Sequence, residues 1–145
     1  MAQTYASFGS ISRGTMRVED LIDNFSYELR KLAKASRRIR EFVPLLKKCD
    51  KYSEDDAPDI VSDLFDALQE FAPPYGYFGA HEGDGSDYGF WPSFDAIEGS
   101  DALKVSDLSE VPRGYSGEVF LTDDHGGLTL YNYVRGRAYE VWGVV

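Results

Sequence analysis

The sequence predicts an α+β fold: an N-terminal antiparallel helical hairpin packed on a C-terminal, mainly antiparallel β-sheet that runs as a meander. Two observations predict it. Apolar residues recur at helical spacing from Val18 to Phe71 and at strand-like spacing after Pro74. Charge divides in a related way, since residues 1–50 carry ten Lys/Arg against six Asp/Glu, whereas residues 51–145 carry five against nineteen. The resulting net charge of −10 is spread over a chain that is 43% hydrophobic, too apolar for a disordered acidic tail and long enough at 145 residues to bury a core. One domain is therefore expected over 1–145, with a loose arm (1–16), a helical hairpin (17–72) and a β-rich part (73–145).

In the arm, Tyr5, Phe8 and Ile11 suit a short edge strand. Val18, Ile22, Phe25, Leu29, Leu32, Ser36, Ile39 and Val43 then alternate steps of four and three, with Leu21 and Ala33 widening the stripe. That pattern predicts one amphipathic helix of about seven turns. Glu19, Asp20 and Asp23 near its start and Arg37, Arg38 and Arg40 near its end complement the helix dipole. Pro44 disfavours helical geometry at Val43 and is expected to end or kink the helix there, with Leu45–Lys51 adding a further turn. In the second helix Asp56 is placed to cap, Pro58 suits the first turn, and Ile60, Val61, Leu64, Phe65, Leu68 and Phe71 form the apolar stripe before Pro73-Pro74. Its outer face carries Asp59, Asp63, Asp66 and Glu70. Pairing of the two helices brings this acidic face toward Arg30–Lys48, which holds eight basic residues against Glu41 alone. Each exposed ion pair contributes only roughly 0–1 kcal/mol, so the apolar stripes should hold the hairpin.

Tyr75–Ala80 and Tyr88–Trp91 read as a β-hairpin around the Gly/Asp-rich segment His81–Asp87. Ser93–Asp101 suits a short helix, Leu103–Val105 a short strand and Ser106–Gly117 a connector. Glu118–Thr122, Leu128–Val134 and Ala138–Val144 read as three antiparallel strands joined by turns at Asp123–Gly127 and Arg135-Gly136. In the last strand, Tyr139, Val141, Gly143 and Val145 alternate with Ala138, Glu140, Trp142 and Val144.

Two kinds of functional residue stand out. The first is the segment from Pro73 to Ser93, where Tyr75, Tyr77, Phe78, Tyr88, Phe90 and Trp91 accompany Asp84 and Asp87. Aromatics with a polar tip next to carboxylates suit a partner-binding surface, although such a hairpin also commonly packs its rings on the helices. The second is the pair of His/Asp loops, with His81, Asp84 and Asp87 in one and Asp123 and His125 in the other. Brought together, they would form a metal or acid–base site. Their spacing matches neither an EF-hand nor HExxH, and turn chemistry alone accounts for every residue of both loops. No catalytic residue and no cofactor is expected. Cys49, the single cysteine, forms no intrachain disulfide and reads as a semi-buried small residue. The basic segment reads as a solvated face rather than a nucleic-acid site, because the whole chain is acidic. The segment MAQTYASFGSISRG lacks the apolar run of a secretory signal, and no membrane span is expected.

Three segments carry a resemblance: GTMRVEDLI, APPYGYFGAHEGDGSDYGFWPS and DDHGGLTLYNYVRGRAYEVWGVV. On them the chain resembles small uncharacterised accessory proteins of tailed bacteriophages and prophages. The resemblance covers most of the chain and is most specific in the middle segment. That group has no settled activity, so no functional residue carries over. It implies a phage-encoded protein in the bacterial cytoplasm, of a kind that often binds and inhibits a host enzyme or defence system.

The leading expectation is a non-enzymatic acidic protein whose carboxylates imitate a phosphate array and occupy the basic surface of a host protein, one that processes nucleic acid or defends against phage. No direct contact with nucleic acid or membrane is expected. One alternative is a small metal-dependent or acid–base enzyme built on the two His/Asp loops. A third is a structural protein that dimerises through its long helix or its C-terminal strand.

Overall fold

A computed structural model describes residues 5–144. The fold is α+β, with the three long helices in the N-terminal half. Contacts cluster the chain into two compact units, residues 1–93 and 94–145.

The first unit runs β1 (Gly9–Ser12), α1 (Val18–Ala35), α2 (Ile39–Asp50), α3 (Ala57–Gln69), β2 (Gly76–His81) and β3 (Asp84–Pro92). The expected seven-turn helix is thus two helices, and the break lies earlier than Pro44. Arg37 adopts a left-handed φ of 61°. The Arg38 N–H donates to the Ala33 carbonyl at 2.7 Å and the Arg37 N–H to the Lys34 carbonyl at 3.1 Å, the paired bonds of a Schellman stop. Glycine usually fills that position because it takes positive φ without a Cβ clash. Here an arginine does, so the sequence carries no stop signal. Pro44, expected to end or kink the helix, lies inside α2. It removes one backbone bond there, and burial of Phe42, Leu46 and Cys49 holds the helix through it. Asp56 does precede α3, but its side chain makes no capping bond.

The three strands form one antiparallel sheet in the order β1-β3-β2. In the hairpin Phe78 opposes Phe90 and Ala80 opposes Tyr88, while Tyr77 opposes Trp91 and Gly79 opposes Gly89. Strand alternation puts the first two pairs on one face and the last two on the other. The Phe78 face packs on the helices, where Phe25 of α1 meets Phe65 of α3, Phe78 and Tyr88 edge-on at 5.5, 5.2 and 5.5 Å between ring centroids. At the outer pair of strands, a Cβ on Gly89 would run into the backbone of Gly9 and Ser10. Glycine at 89 is therefore what lets β1 approach β3.

The second unit runs α4 (Phe94–Glu98), β4 (Leu103–Val105), β5 (Gly117–Thr122), β6 (Leu128–Val134) and β7 (Arg137–Val144). The expected meander is β5-β6-β7, and β4 joins its edge in parallel to β5. Val105, Val119 and Tyr133 form a small core on one face, covered by Leu108, Val111 and Tyr115 from the connector. That connector holds a 3-10 turn at Leu108–Glu110, capped reciprocally by Asp107 and Glu110. A register shift between Leu130 and Tyr131 sets Trp142 opposite Leu130 but Glu140 opposite Tyr131. The strict alternation read for the last strand therefore breaks at Val141, and Val145 lies outside the described residues. Among the described residues, no helix is long and apolar enough to cross a membrane.

Replacing Gly89 by alanine should destabilise the chain by about 1–3 kcal/mol and speed amide exchange over Gly9–Ser12. Urea unfolding with hydrogen exchange reads both, and wild-type protection of those amides would contradict the close approach. Arg37→Gly should instead stabilise by about 0.5–1 kcal/mol, because removing the left-handed penalty outweighs the added chain entropy. A lower urea midpoint in that variant would show that the turn does not hold Arg37 at positive φ.

Candidate functional site

The aromatic hairpin divides by strand parity. Phe78 and Phe90 are 4% and 0% exposed and belong to the core, which corrects their placement on a partner-binding surface. Tyr88 points the same way and packs on Phe25 and Phe65. Tyr77 and Trp91 occupy the opposite face and are half-buried. The indole N–H of Trp91 donates to the Gly79 carbonyl at 2.9 Å, and its ring meets His81 edge-on at 4.8 Å. Tyr75 lies just before β2 with a left-handed φ of 64°, in a turn closed by the Gly76 N–H on the Pro73 carbonyl.

Both His/Asp loops are built by turn bonds. In the first, the Gly83 N–H donates to His81 Nδ1 at 2.9 Å. Asp84 Oδ1 accepts from the Ser86 N–H and hydroxyl at 3.0 and 2.9 Å, and these bonds hold its carboxyl below the usual value. Asp87 is not displayed at all. It is 8% exposed, its Oδ2 stands 3.9 Å from Arg13 Nε, and its Oδ1 has no hydrogen-bond partner. In the second loop, Asp123 Oδ1 accepts from the N–H groups of His125 and Gly127 at 2.9 and 2.8 Å. Among the described residues, no group of three or more His, Cys, Asp or Glu side chains is placed to hold a metal ion. Within the first unit His81, Asp84 and Asp87 therefore form no such group, and within the second neither do Asp123 and His125.

The helices carry the strongest electrostatic feature. Asp59, Asp63, Asp66 and Glu70 are all exposed, and at 100° per residue they fall within roughly 60° of arc along α3. Glu70 pairs with Arg38 at 2.5 Å. Asp59, Asp63 and Asp66 have no ion pair among the described residues. On α2, the exposed residues Arg40, Lys47 and Lys48 share one side, again without an ion pair among the described residues. Of the eight basic residues in Arg30–Lys48, only Lys31 and Arg38 are paired, with Glu28 and with Glu41 and Glu70. The acidic and basic helices meet in a groove of about 260 Å³ lined by Lys48, Lys51 and Tyr52 on one side and Asp56, Asp59, Ile60 and Asp63 on the other.

Arg38 ties the start of α2 to the residues that follow α3. Its guanidinium forks onto Glu41 at 2.9 Å through both Nε and Nη2, reaches Glu70, and lies over the rings of Phe42 and Phe71 at 5.4 and 5.1 Å. Hydrogen bonds to Glu41 and then Glu70 raise its pKa, and the same bond lowers that of Glu41. Sequence reading missed this hub, although Glu41 and Phe42 stand three and four residues on, where a helix brings side chains together. Cys49 is buried, its thiol donates to the Leu45 carbonyl at 3.3 Å, and burial pushes its pKa up to about 11. It is therefore not a reactive thiolate at neutral pH.

No family model, no curated protein and no solved structure matches the chain.

Arg38→Ala should lower stability by about 1 kcal/mol at neutral pH, through lost ring contacts and surface ion pairs. Because Glu41 titrates below its ordinary range in the folded chain, its bond to Arg38 adds stability above that range and loses it as pH falls through the depressed value. The gap between variant and wild-type urea midpoints should accordingly narrow on acidification. A gap that stays constant down through the carboxylate range would remove the ion-pair contribution.

Proposed function

We propose that this is a non-enzymatic binding protein of the phage accessory kind, working in the cytoplasm of a bacterial host. It presents the α3 carboxylates to the basic surface of a host protein that processes nucleic acid or defends against phage, and so inhibits or modulates it. The observation that carries this reading is the row Asp59, Asp63 and Asp66, exposed on one side of a well-packed helix and without an ion pair among the described residues. Asp59 and Asp66 stand seven residues apart, so at 1.5 Å per residue the row spans about 10 Å. It offers an Arg/Lys surface a short line of negative charge in place of phosphates. On the hairpin, half-buried Tyr77 and Trp91 and exposed Glu82 and Asp84 offer further contact groups of the kind that anchor interfaces.

The test is capture of a host protein on the tagged full chain, competed with duplex DNA and compared with the variant Asp59→Asn/Asp63→Asn/Asp66→Asn. Capture should fall about tenfold or more in the variant, weaken at high salt, and be displaced by the DNA. Capture that is equal in the variant and indifferent to DNA would overturn the reading.

A further inference from the structure

We propose that the basic side of α2 is a docking surface for a second copy of this chain, with Arg40, Lys47 and Lys48 of one copy meeting Asp59, Asp63 and Asp66 of the other. Six of the eight cations in Arg30–Lys48 have no ion pair among the described residues, so the expected internal neutralisation by the second helix is limited to Arg38 on Glu70. The charges are close without closing on one another. Lys48 and Lys51 face Asp56, Asp59 and Asp63 across the same groove, yet no ion pair spans it among the described residues.

The two charged sides match each other. Arg40 and Lys48 stand eight residues apart on α2 and Asp59 and Asp66 seven residues apart on α3, about 12 and 10 Å along the helix. They lie on neighbouring helices of one unit. A two-fold axis running along the groove between α2 and α3 lays each α2 over the partner's α3, so the complementary contact is made twice. That is the self-complementarity a closed dimer requires. Pro44, exposed between Arg40 and Lys47, and Tyr52 in the groove give the contact an apolar centre inside a charged rim.

Salt has two opposing effects. The net charge of −10 makes two copies repel at long range, and that repulsion is screened beyond about 10 Å at 0.1 M salt. Close pairs across the contact persist there and fade at much higher salt. Dimer formation should therefore peak near physiological ionic strength.

The contact uses the same α3 carboxylates as the proposed function, but it is measured on the purified chain with no host protein present, so either reading can fail alone. The experiment is sedimentation equilibrium of the full chain at high micromolar concentration. At about 0.1 M salt the wild type should weigh two chains, and at about 1 M one chain. Arg40→Glu/Lys47→Glu/Lys48→Glu and Asp59→Lys/Asp63→Lys/Asp66→Lys should each dimerise at least about tenfold more weakly, and an equimolar mixture of the two should restore the dimer. A wild type that stays monomeric at about 0.1 M overturns the proposal, as do reversed variants that dimerise undiminished. Circular dichroism checks that each variant is folded. Should one fail to fold, the salt series on the wild type decides, with a dimer unaffected by about 1 M salt counting against the charged contact.

Discussion

Phe25 is the point on which the first unit depends. One ring from α1 meets Phe65 of α3, Phe78 of β2 and Tyr88 of β3, and Phe65 in turn meets Phe78 at 4.9 Å. Edge-on aromatic pairs add about 0.5–1.5 kcal/mol each beyond area burial, and here four of the unit's elements share one set. The cluster also fixes the hairpin register. A slip of one residue would carry Phe78, Tyr88 and Phe90 to the wrong face together. That Tyr77 and Trp91 are left on the other face is thus a consequence of packing around Phe25.

The stop at Arg37 has the next widest effect. Without it, the residues of α2 would continue the line of α1, and the cations of Arg30–Lys48 would follow a single long helix. With it, α2 starts in a new direction and its cations form a side of their own next to α3. The positive φ at Arg37 is unfavourable for a residue with a Cβ. Arg38, immediately after it, has ring contacts and ion pairs with Glu41, Phe42, Glu70 and Phe71 that help hold the junction.

Much of the fold was legible because it rests on periodicity. The stripe through Val18–Leu32, the α3 stripe, the hairpin and the three-strand meander all follow from apolar spacing that burial enforces. What was not legible rests on single backbone positions. Arg37 gives no glycine signal for a helix stop, Pro44 gives a stop signal that core packing overrides, and the Leu130–Tyr131 shift leaves no mark in composition. The 3-10 turn had a readable sign in Asp107 and Glu110, the D-x-x-E of a capping box, and went unread because the connector looked like loop. The candidate surface was legible only in part. The aromatics of the hairpin divide by strand parity, which sends Phe78, Tyr88 and Phe90 inward. The α3 carboxylates needed only helical spacing, and that reading placed all four on one exposed side.

Charge contributes little to holding this fold, and that makes its arrangement informative. Asp59 with Asp63, and Asp66 with Glu70, stand four residues apart on one helix, where like charges are destabilising by about 0.2–0.5 kcal/mol per pair. Glu70 recovers some of this through Arg38. Asp59, Asp63 and Asp66 have no such partner among the described residues, although Lys48 and Lys51 stand across the groove. The α3 core residues Ile60, Leu64, Ala67 and Leu68 would pack equally well beneath neutral polar side chains at those three positions. Packing of α3 does not require this row of carboxylates, which supports the proposal that its complement lies outside the monomer. A cationic surface, on another protein or on a second copy of this chain, is the complement its charge and spacing fit.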